Sequence, residues 1–184
     1  MMVVQLGAKP LAGFTEPIEM LKDCHRRIEH FIDVLRTVER RFGETGLDED
    51  ARRALESSLN YFAHFAPRHT ADEEQSLFPR LRRSQSSDAQ AVMAELQHLE
   101  HDHRRCEEGH ALIDRIVHQW LAADRLDEVQ RKRLRAALDA LATVYAAHIQ
   151  LEEQRVFAIA SQILKPEQLR EIGAEMKQRR SLTH

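Results

Sequence analysis

Two copies of one ten-residue motif carry the residues that could do chemistry. Both copies read His-x-x-x-Glu-Glu-Gln-x-apolar-Phe, the first beginning at His69 and the second at His148. On an α-helix, residues four apart lie one turn apart on the same face, so each copy presents an imidazole and a carboxylate in one direction. Such a pair can bind a metal ion from a single helix, and helical bundles form metal sites where facing helices contribute these residues.

The repeat extends well beyond these two motifs. His25, followed by Arg-Arg-x-Glu, reappears at His103, and Leu47, followed by Asp-Glu, reappears at Leu126. In both copies the motif histidine follows that leucine by 22 residues. The chain therefore consists of two copies of one helical hairpin, and packing them about a pseudo-twofold axis would bring four helices together.

The duplication selects the candidate metal ligands, because it relates them in pairs. These pairs are His25 with His103, His69 with His148, and Glu73 with Glu152. A His-x-x-x-Glu spacing can also be an ordinary helix pair or part of a polar core without metal. Burying carboxylates without a cation is costly, so the pattern favours a metal site. The histidines outside the inward faces are predicted to be surface residues: His30, His64, His98, His101, His118 and His184.

Four amphipathic helices are needed to position these residues. The apolar spacing and the turn residues predict helices from Thr15 to near Phe42, from Asp48 through a kink at Pro67 to just beyond Pro79, from Asp88 to near Ala123, and from about Asp127 to before Lys165. The inward face of the last helix is predicted to continue from Glu152 to Ile159. Short connections favour antiparallel neighbours, so we expect an all-α, up-down-up-down four-helix bundle. We expect an N-terminal arm at residues 1–14, the bundle at 15–164, and a C-terminal helix and tail at 165–184.

Composition and charge limit the partners. The formal net charge of -3 gives no broad attraction to nucleic acid. No apolar run approaches the roughly 20 residues needed to span a bilayer. We therefore expect a cytoplasmic protein without a nucleic-acid or membrane partner. Its two cysteines, Cys24 and Cys106, are typical of a reducing compartment rather than of a disulfide framework. Nothing in the sequence indicates the oligomeric state.

Taken together, the motifs resemble those of the hemerythrin-like, HHE cation-binding family. The resemblance rests on Cys24-His25, the block from His69 to Pro79, Asp102-His103 and the block from His148 to Glu153, and it covers nearly the whole chain. It implies a four-helix bundle that holds a non-haem di-iron centre. Carried over by position, the resemblance makes His25, His69, His103 and His148 terminal ligands, and Glu73 and Glu152 bridging carboxylates. Iron follows from the resemblance, since mixed histidine and carboxylate ligands also suit manganese or zinc.

The chain departs from the oxygen-carrying hemerythrins at two positions. Those proteins have a second histidine four residues after the third-helix ligand, where this chain has Glu107. They also have an aspartate five residues after the fourth-helix histidine, where this chain has glutamates at four and five. Additional carboxylates stabilise the ferric state, so simple reversible oxygen carriage is disfavoured.

Four further residues are candidates for ligands or for groups that support the ligands. Glu29 and Glu107 follow His25 and His103 by four residues, and each is either an extra ligand or a salt-bridge partner of nearby arginines. His110 lies on the inward face and is either a core residue or a ligand. Tyr145 is either a core aromatic or a hydrogen-bond donor to a metal-bound molecule.

Two classes of function remain open. The first is a metal-binding protein that binds or senses oxygen, nitric oxide or iron. The second is an oxidoreductase that handles peroxide or nitric oxide, or that repairs damaged iron centres. A structural scaffold is a third and weaker alternative. No nucleophile or cofactor motif argues independently for catalysis, and the expected partner is a small diatomic molecule or peroxide.

Overall fold

Helical segments form where apolar residues recur every three to four positions. A computed structural model describes residues 12–181. Its helices are α1 (Pro17–Phe42), α2 (Glu49–His64), α3 (Ala66–Asp72), α4 (Phe78–Arg83), α5 (Ser87–Gln90), α6 (Met93–Ala123), α7 (Glu128–Leu151), α8 (Phe157–Ile163) and α9 (Pro166–Ser181). Two π-helical turns, Glu73–Leu77 and Glu152–Val156, join α3 to α4 and α7 to α8. The four bundle helices are α1, the α2–α4 segment, α6 and the α7–α8 segment, so the predicted all-α bundle is confirmed.

The turn between the helices of each hairpin is repeated as the sequence predicts. The side chain of Asp48 accepts a hydrogen bond from the backbone N–H of Ala51 and so caps α2. Asp127 caps α7 in the same way, with the side chain of Gln130 returning the hydrogen bond. Asp124 ends α6 with a φ of 59°, and its carboxylate accepts from the backbone N–H of Leu47, which ties one turn to the other.

The start of the third bundle helix was predicted wrongly. Ser86, rather than Asp88, is the N-cap, and its hydroxyl accepts from the backbone N–H of Asp88. The helix that it caps, α5, is only four residues long, and the long helix α6 begins later, at Met93. The Ser-rich segment therefore forms a separate short turn because its hydroxyls satisfy backbone N–H groups locally.

The second π-turn explains why the inward face predicted for the end of the fourth bundle helix is wrong. Ile159 is only half-buried, whereas Val156, Phe157 and Ala160 are buried. A π-turn contains one residue more than an α-turn, so the inward face shifts by one position after Glu152. Close to Pro67, where a kink is predicted, Phe65 interrupts the helix between α2 and α3. Pro67 lies in the first turn of α3, where its missing N–H costs nothing.

A polar layer divides the apolar interior into two cores. The larger core lies towards the two hairpin turns and includes Leu35, Leu55, Trp120 and Leu138. The smaller core lies towards the chain termini, and its buried members include Phe78, Leu99, Phe157 and Met176. Burying each such side chain contributes about 1.5–3 kcal/mol, so both cores hold the four helices rigidly on either side of the polar layer.

Helix α9 covers the smaller core and packs on the first hairpin. A Cβ atom at Gly173 would lie 1.8 Å from the carbonyl oxygen of Phe14, so only glycine permits this close contact. The backbone N–H of Ala12 donates to Asp23 at 2.7 Å. Residues 1–11 of the predicted N-terminal arm lie outside the described residues. None of the helices between residues 12 and 181 combines the length and apolar character needed to cross a membrane.

Candidate metal centre

The polar layer brings all six predicted ligands together. They form two overlapping groups, His25, His69, Glu73 and Glu152 in one, and Glu73, His103, His148 and Glu152 in the other. Within each group, one potential ligand atom from every residue lies within 4.8 Å of the others. Each group takes both histidines from one hairpin and shares both glutamates, which is the arrangement that two neighbouring metal ions need.

Each shared carboxylate faces imidazoles from both hairpins. Oε2 of Glu152 lies 3.1 Å from Nε2 of His25 and 3.3 Å from Nε2 of His148. Oε1 of Glu73 lies 3.5 Å from Nε2 of His69, and Oε2 lies 3.3 Å from Nε2 of His103. Both carboxylates are therefore placed to bridge the two groups.

The π-turns begin at these two glutamates. The backbone N–H of Phe78 donates to the carbonyl oxygen of Glu73, five residues earlier, and Phe157 does the same to Glu152. The phenyl ring that follows each turn then packs near an imidazole, with centroids 6.3 Å apart for Phe78 and His103 and 5.4 Å apart for Phe157 and His25. The π-turn is a common device at functional sites, where it re-aims side chains.

Two glutamates outside the predicted ligand set, Glu74 and Glu153, contact two of the imidazoles. Oε1 of Glu74 lies 2.8 Å from Nδ1 of His103, and Oε1 of Glu153 lies 2.9 Å from Nδ1 of His25. Because an ionised carboxylate can only accept, Nδ1–H of each imidazole donates and Nε2 faces the centre. The signal was present in the sequence, since both motif copies carry a second glutamate directly after the first.

Burial and mutual proximity shift the titration of the site. Burial alone would lower the pKa of His25, but the carboxylates of Glu152 and Glu73 raise it to about 10. Burial would also lower the pKa of His103, but the carboxylates of Glu73 and Glu74 raise it to about 10. Burial lowers the pKa of His69 to about 4, so this imidazole is neutral at pH 7.

The two shared carboxylates stay ionised despite complete burial. Burial would raise the pKa of Glu73, but the imidazoles of His69 and His103 hold it well below its ordinary value. Burial and the charge of Glu73 both act to raise the pKa of Glu152, but His148 and His25 outweigh them and lower it. The two carboxylates thus keep their negative charge inside the bundle, next to the protonated imidazoles of His25 and His103.

Several buried atoms of this site make no hydrogen bond with any described residue. They are His25 Nε2, His69 Nδ1, both carboxylate oxygens of Glu73, His103 Nε2, His148 Nδ1 and both carboxylate oxygens of Glu152. Contacts across the centre, such as the 3.1 Å between His25 Nε2 and Glu152 Oε2, lack hydrogen-bond geometry. Buried polar atoms in this state are exceptional and call for an explanation such as a bound ion. Divalent cations would accept the lone pairs of the carboxylates and the Nε2 atoms and would balance the buried charge. Nitrogen and oxygen donors suit iron, manganese and zinc.

Comparison with known proteins agrees with this geometry. Residues 16–160 match the family described as the hemerythrin HHE cation binding domain. The chain belongs to this family. It is also 27% identical over 177 residues to an uncharacterized protein of Haemophilus influenzae, a match that covers 96% of this chain and 97% of that protein.

The remaining candidate residues of this hemerythrin HHE domain lie outside both groups. Glu29 and Glu107 are exposed. Nε2 of His110 lies 2.9 Å from the hydroxyl of Tyr145, and its ring stacks on Phe62 with centroids 4.1 Å apart. Burial lowers the pKa of His110 to about 4 and raises that of Tyr145 well above its ordinary value, so both side chains are neutral.

The remaining histidines and Cys106 lie away from the two groups of candidate ligands. Five of the histidines predicted at the surface are exposed: His30, His64, His98, His101 and His118. His184 lies outside the described residues. Cys106 is buried, and burial raises the pKa of its thiol to about 12, so it stays protonated and packs within the larger core.

Proposed function

We propose that this hemerythrin HHE domain is a non-haem di-iron protein that binds or senses oxygen, nitric oxide or iron. Support comes chiefly from the two groups of ligand atoms that share two fully buried, ionised carboxylates. Membership of a cation-binding family supports the same conclusion. Carboxylates buried in a helical bundle destabilise the fold unless positive charge compensates for them. Metal ions would supply that charge when they displace the protons of His25 and His103.

Each hairpin would hold one ion. His25 and His69 would bind the first, His103 and His148 the second, and Glu73 and Glu152 would bridge them. A pair of metal ions supplies Lewis acidity, electrons and open coordination positions for a small molecule. The chain contributes the rest: Glu74 and Glu153 hold the protons of His103 and His25 at Nδ1, and the two apolar cores exclude water from both sides.

Reconstitution tests this proposal directly. Metal-free protein incubated anaerobically with ferrous iron and then desalted should retain two irons per chain. The double variant Glu73→Gln/Glu152→Gln, which keeps the shape of both side chains, should retain none. The matched control Glu29→Gln/Glu107→Gln alters two exposed glutamates and should retain two. Unchanged iron content in the Glu73/Glu152 variant would refute the proposal.

The alternative function is a di-iron oxidoreductase that acts on peroxide or nitric oxide, or that repairs iron centres. The carboxylate-rich ligand set favours this class, because oxygen donors stabilise the ferric state. Optical spectra recorded after adding oxygen, nitric oxide or hydrogen peroxide to the iron-loaded protein separate the two functions. A stable, reversible adduct indicates binding or sensing, and repeated consumption of the added molecule indicates an enzyme.

A further inference from the structure

Helix α9 contacts the segment of the first hairpin that carries two of the candidate metal ligands. It packs against α3, which contains His69, and against the π-turn that begins at Glu73. The residues that α9 buries are Ile172, Gly173 and Met176. The segment from α3 to the π-turn therefore has α9 on one side and the polar layer on the other.

Two arginines of α9 bind polar side chains next to the ligand Glu73. The carboxylate of Asp72, which is fully buried, lies 2.6 Å from Nη1 of Arg179 and 2.6 Å from Nη2 of Arg180. Arg179 also donates a hydrogen bond to the buried hydroxyl of Ser76, inside the π-turn. Asp72 and Ser76 lie one residue before and three residues after Glu73, so these contacts fix the backbone on both sides of it.

An ion-pair cluster extends this attachment by one helical turn. The side chain of Arg80 lies 3.1 Å from the carboxylate of Glu171 and 2.9 Å from that of Glu175. It also donates to the carbonyl oxygen of Ser76 at 2.9 Å. Only 13% of the Arg80 side chain is exposed, so this cluster is less screened by solvent than an ordinary surface pair. Helix α4 is thereby attached to α9 as well.

In the described part of the chain, the second hairpin has no equivalent of this attachment. The repeat positions of Asp72, Ser76 and Arg80 carry Leu151, Arg155 and Ile159. The side chain of Arg155 is 51% exposed and pairs with Glu95 at 3.1 Å. The contact with α9 is therefore a feature of the first hairpin alone.

Two separate sets of contacts thus act on one short segment. A metal ion bound by His69 and Glu73 would hold this segment from the side of the polar layer, and the arginines of α9 hold it from the opposite side through Asp72. When two partners immobilise the same segment, the first to bind removes part of the ordering cost for the second. Each partner should therefore strengthen the binding of the other.

We propose that Arg179 and Arg180 are positioning residues of the metal centre: by fixing Asp72 they hold His69 and Glu73 in place, so that metal binding and docking of α9 strengthen each other. This inference depends on the proposed function for the presence of the metal. Coupling of this kind is reciprocal, so α9 raises the affinity for metal by the factor by which metal tightens α9. Loss of metal would loosen α9 from the smaller core and so alter the surface of the molecule.

The affinity for zinc, measured by competition with a chromophoric chelator, tests the positioning role. The variant Asp72→Leu/Arg179→Gln/Arg180→Gln removes the contact and leaves no buried carboxylate unpaired, because position 72 takes the residue of the second hairpin. We expect its dissociation constant for zinc to rise about tenfold, the lower end of the usual cost of losing a group that orients a ligand. The control Arg170→Gln/Lys177→Gln alters two exposed residues of α9 and should leave the constant unchanged.

An unchanged dissociation constant in the triple variant would overturn the proposal. A purely structural role of the arginines predicts this result, because a folded protein that retains its ligand geometry binds zinc equally well. If the triple variant fails to fold, Arg80→Gln replaces it. That substitution breaks a partly exposed contact between α4 and α9, so the expected rise is smaller, about threefold.

Hydrogen exchange measures the coupling in the opposite direction. Exchange of the backbone amides of α9 is followed by NMR with and without zinc. We expect zinc to slow this exchange about tenfold in the wild type, the same factor as for the affinity. The slowing should be absent in the triple variant. Equal slowing in both proteins, or none in the wild type, would contradict the coupling.

Exchange in the metal-free protein separates this inference from the proposed function. The amides of the first π-turn, Glu73–Leu77, are compared with those of the second, Glu152–Val156. In the triple variant, exchange in the first turn should become about tenfold faster relative to the second, because local opening becomes easier. The same ratio in the triple variant and the wild type would overturn the positioning role. A wild type that retains neither iron nor zinc would instead refute the proposed function, and this comparison would still decide whether α9 fixes the first π-turn.

Discussion

The hydrogen bonds that His103 and His25 donate to Glu74 and Glu153 cross from one hairpin to the other. A neutral imidazole carries one ring proton, and a carboxylate at Nδ1 holds that proton there and leaves Nε2 free for a metal. The other two imidazoles are supported less directly, since the nearest carboxylate to Nδ1 of His148 is that of Asp102, at 3.8 Å. Each group of candidate ligands therefore contains one imidazole oriented by a hydrogen bond, His25 or His103, and one oriented mainly by packing, His69 or His148.

Removing the charge of these two supporting glutamates should weaken metal binding without unfolding the protein. We expect Glu74→Gln and Glu153→Gln each to lower metal affinity about 10- to 100-fold, the usual cost of losing a residue that orients a ligand. Competition with a chromophoric chelator measures the affinity, and Glu108→Gln, an exposed residue of α6, is the matched control. Equal affinities in the three variants would show that the two contacts do not orient the imidazoles.

The pairwise repeat was enough to predict which histidines and glutamates converge. Residues four apart stay on one helix face even where the helix deviates slightly from ideal geometry, and the duplication identifies the same positions in both hairpins. The roles of Glu74 and Glu153 could not be predicted from it. On a regular α-helix a residue directly after an inward-facing one points well away from the core. Only the packing of the two hairpins shows that an imidazole of the other hairpin lies within hydrogen-bond distance of each of these two carboxylates.

At the level of elements, the caps at Asp48 and Asp127 were predictable because each is a local hydrogen bond between a side chain and the backbone. The π-turns were not, since Glu-Glu-Gln followed by apolar residues suits a regular α-helix equally well. They occur at both repeat positions and begin at Glu73 and Glu152, two of the residues that converge in the polar layer. The misplaced Ile159 is a direct consequence, because it lies just beyond the second turn.

Helix α9 is attached to the first hairpin through a buried charge that the second hairpin lacks. Asp72 is fully buried. Its carboxylate accepts hydrogen bonds from Nη1 of Arg179 and Nη2 of Arg180, each at 2.6 Å. The repeat partner of Asp72 is Leu151, which needs no such contact. Asp72 directly precedes Glu73, so the attachment of α9 and the position of the Glu73 side chain are structurally linked.

Breaking this attachment should destabilise the fold, because it leaves a carboxylate buried without a partner. We expect Arg179→Gln/Arg180→Gln to lower the free energy of unfolding by about 3 kcal/mol, the lower end for a broken buried pair, since both guanidinium groups are partly exposed. Adding Asp72→Leu, the residue of the second repeat, should restore most of that loss. Urea unfolding followed by circular dichroism measures both. An equal loss in the double and triple variants would mean that the arginines act through other contacts.

For the whole molecule, duplication produced a nearly symmetric ligand set inside an asymmetric bundle. Helix α9 packs on the first hairpin, whereas a cavity of about 240 Å³ lies between Ala66 and His103 of the second hairpin. The surroundings of the two groups of candidate ligands therefore differ although the residue types match. The asymmetry arises from a few substitutions between the repeats, such as Ala66 for Tyr145 and Asp72 for Leu151.

Metal binding should stabilise the entire fold, and more strongly at pH 8 than at pH 6. The raised pKa of about 10 means that His25 and His103 are protonated in the metal-free protein at both pH values. These protons stabilise the metal-free fold fully below the ordinary histidine pKa, and that contribution declines as the pH rises towards 10. A metal ion must displace these protons from the imidazole nitrogens. Because fewer protons compete with the metal at higher pH, metal binding is stronger there.

Thermal unfolding at a fixed concentration of free zinc, which is redox-inert, provides the measurement. Free metal at a hundred times its dissociation constant stabilises the folded state by about 2.7 kcal/mol for each site. We expect a rise in melting temperature at both pH values and a larger rise at pH 8. The variant Glu73→Gln/Glu152→Gln should show no rise at either pH, because the bridging charges are gone. A rise that is equal at both pH values, or larger at pH 6, would show that zinc does not displace protons from these imidazoles.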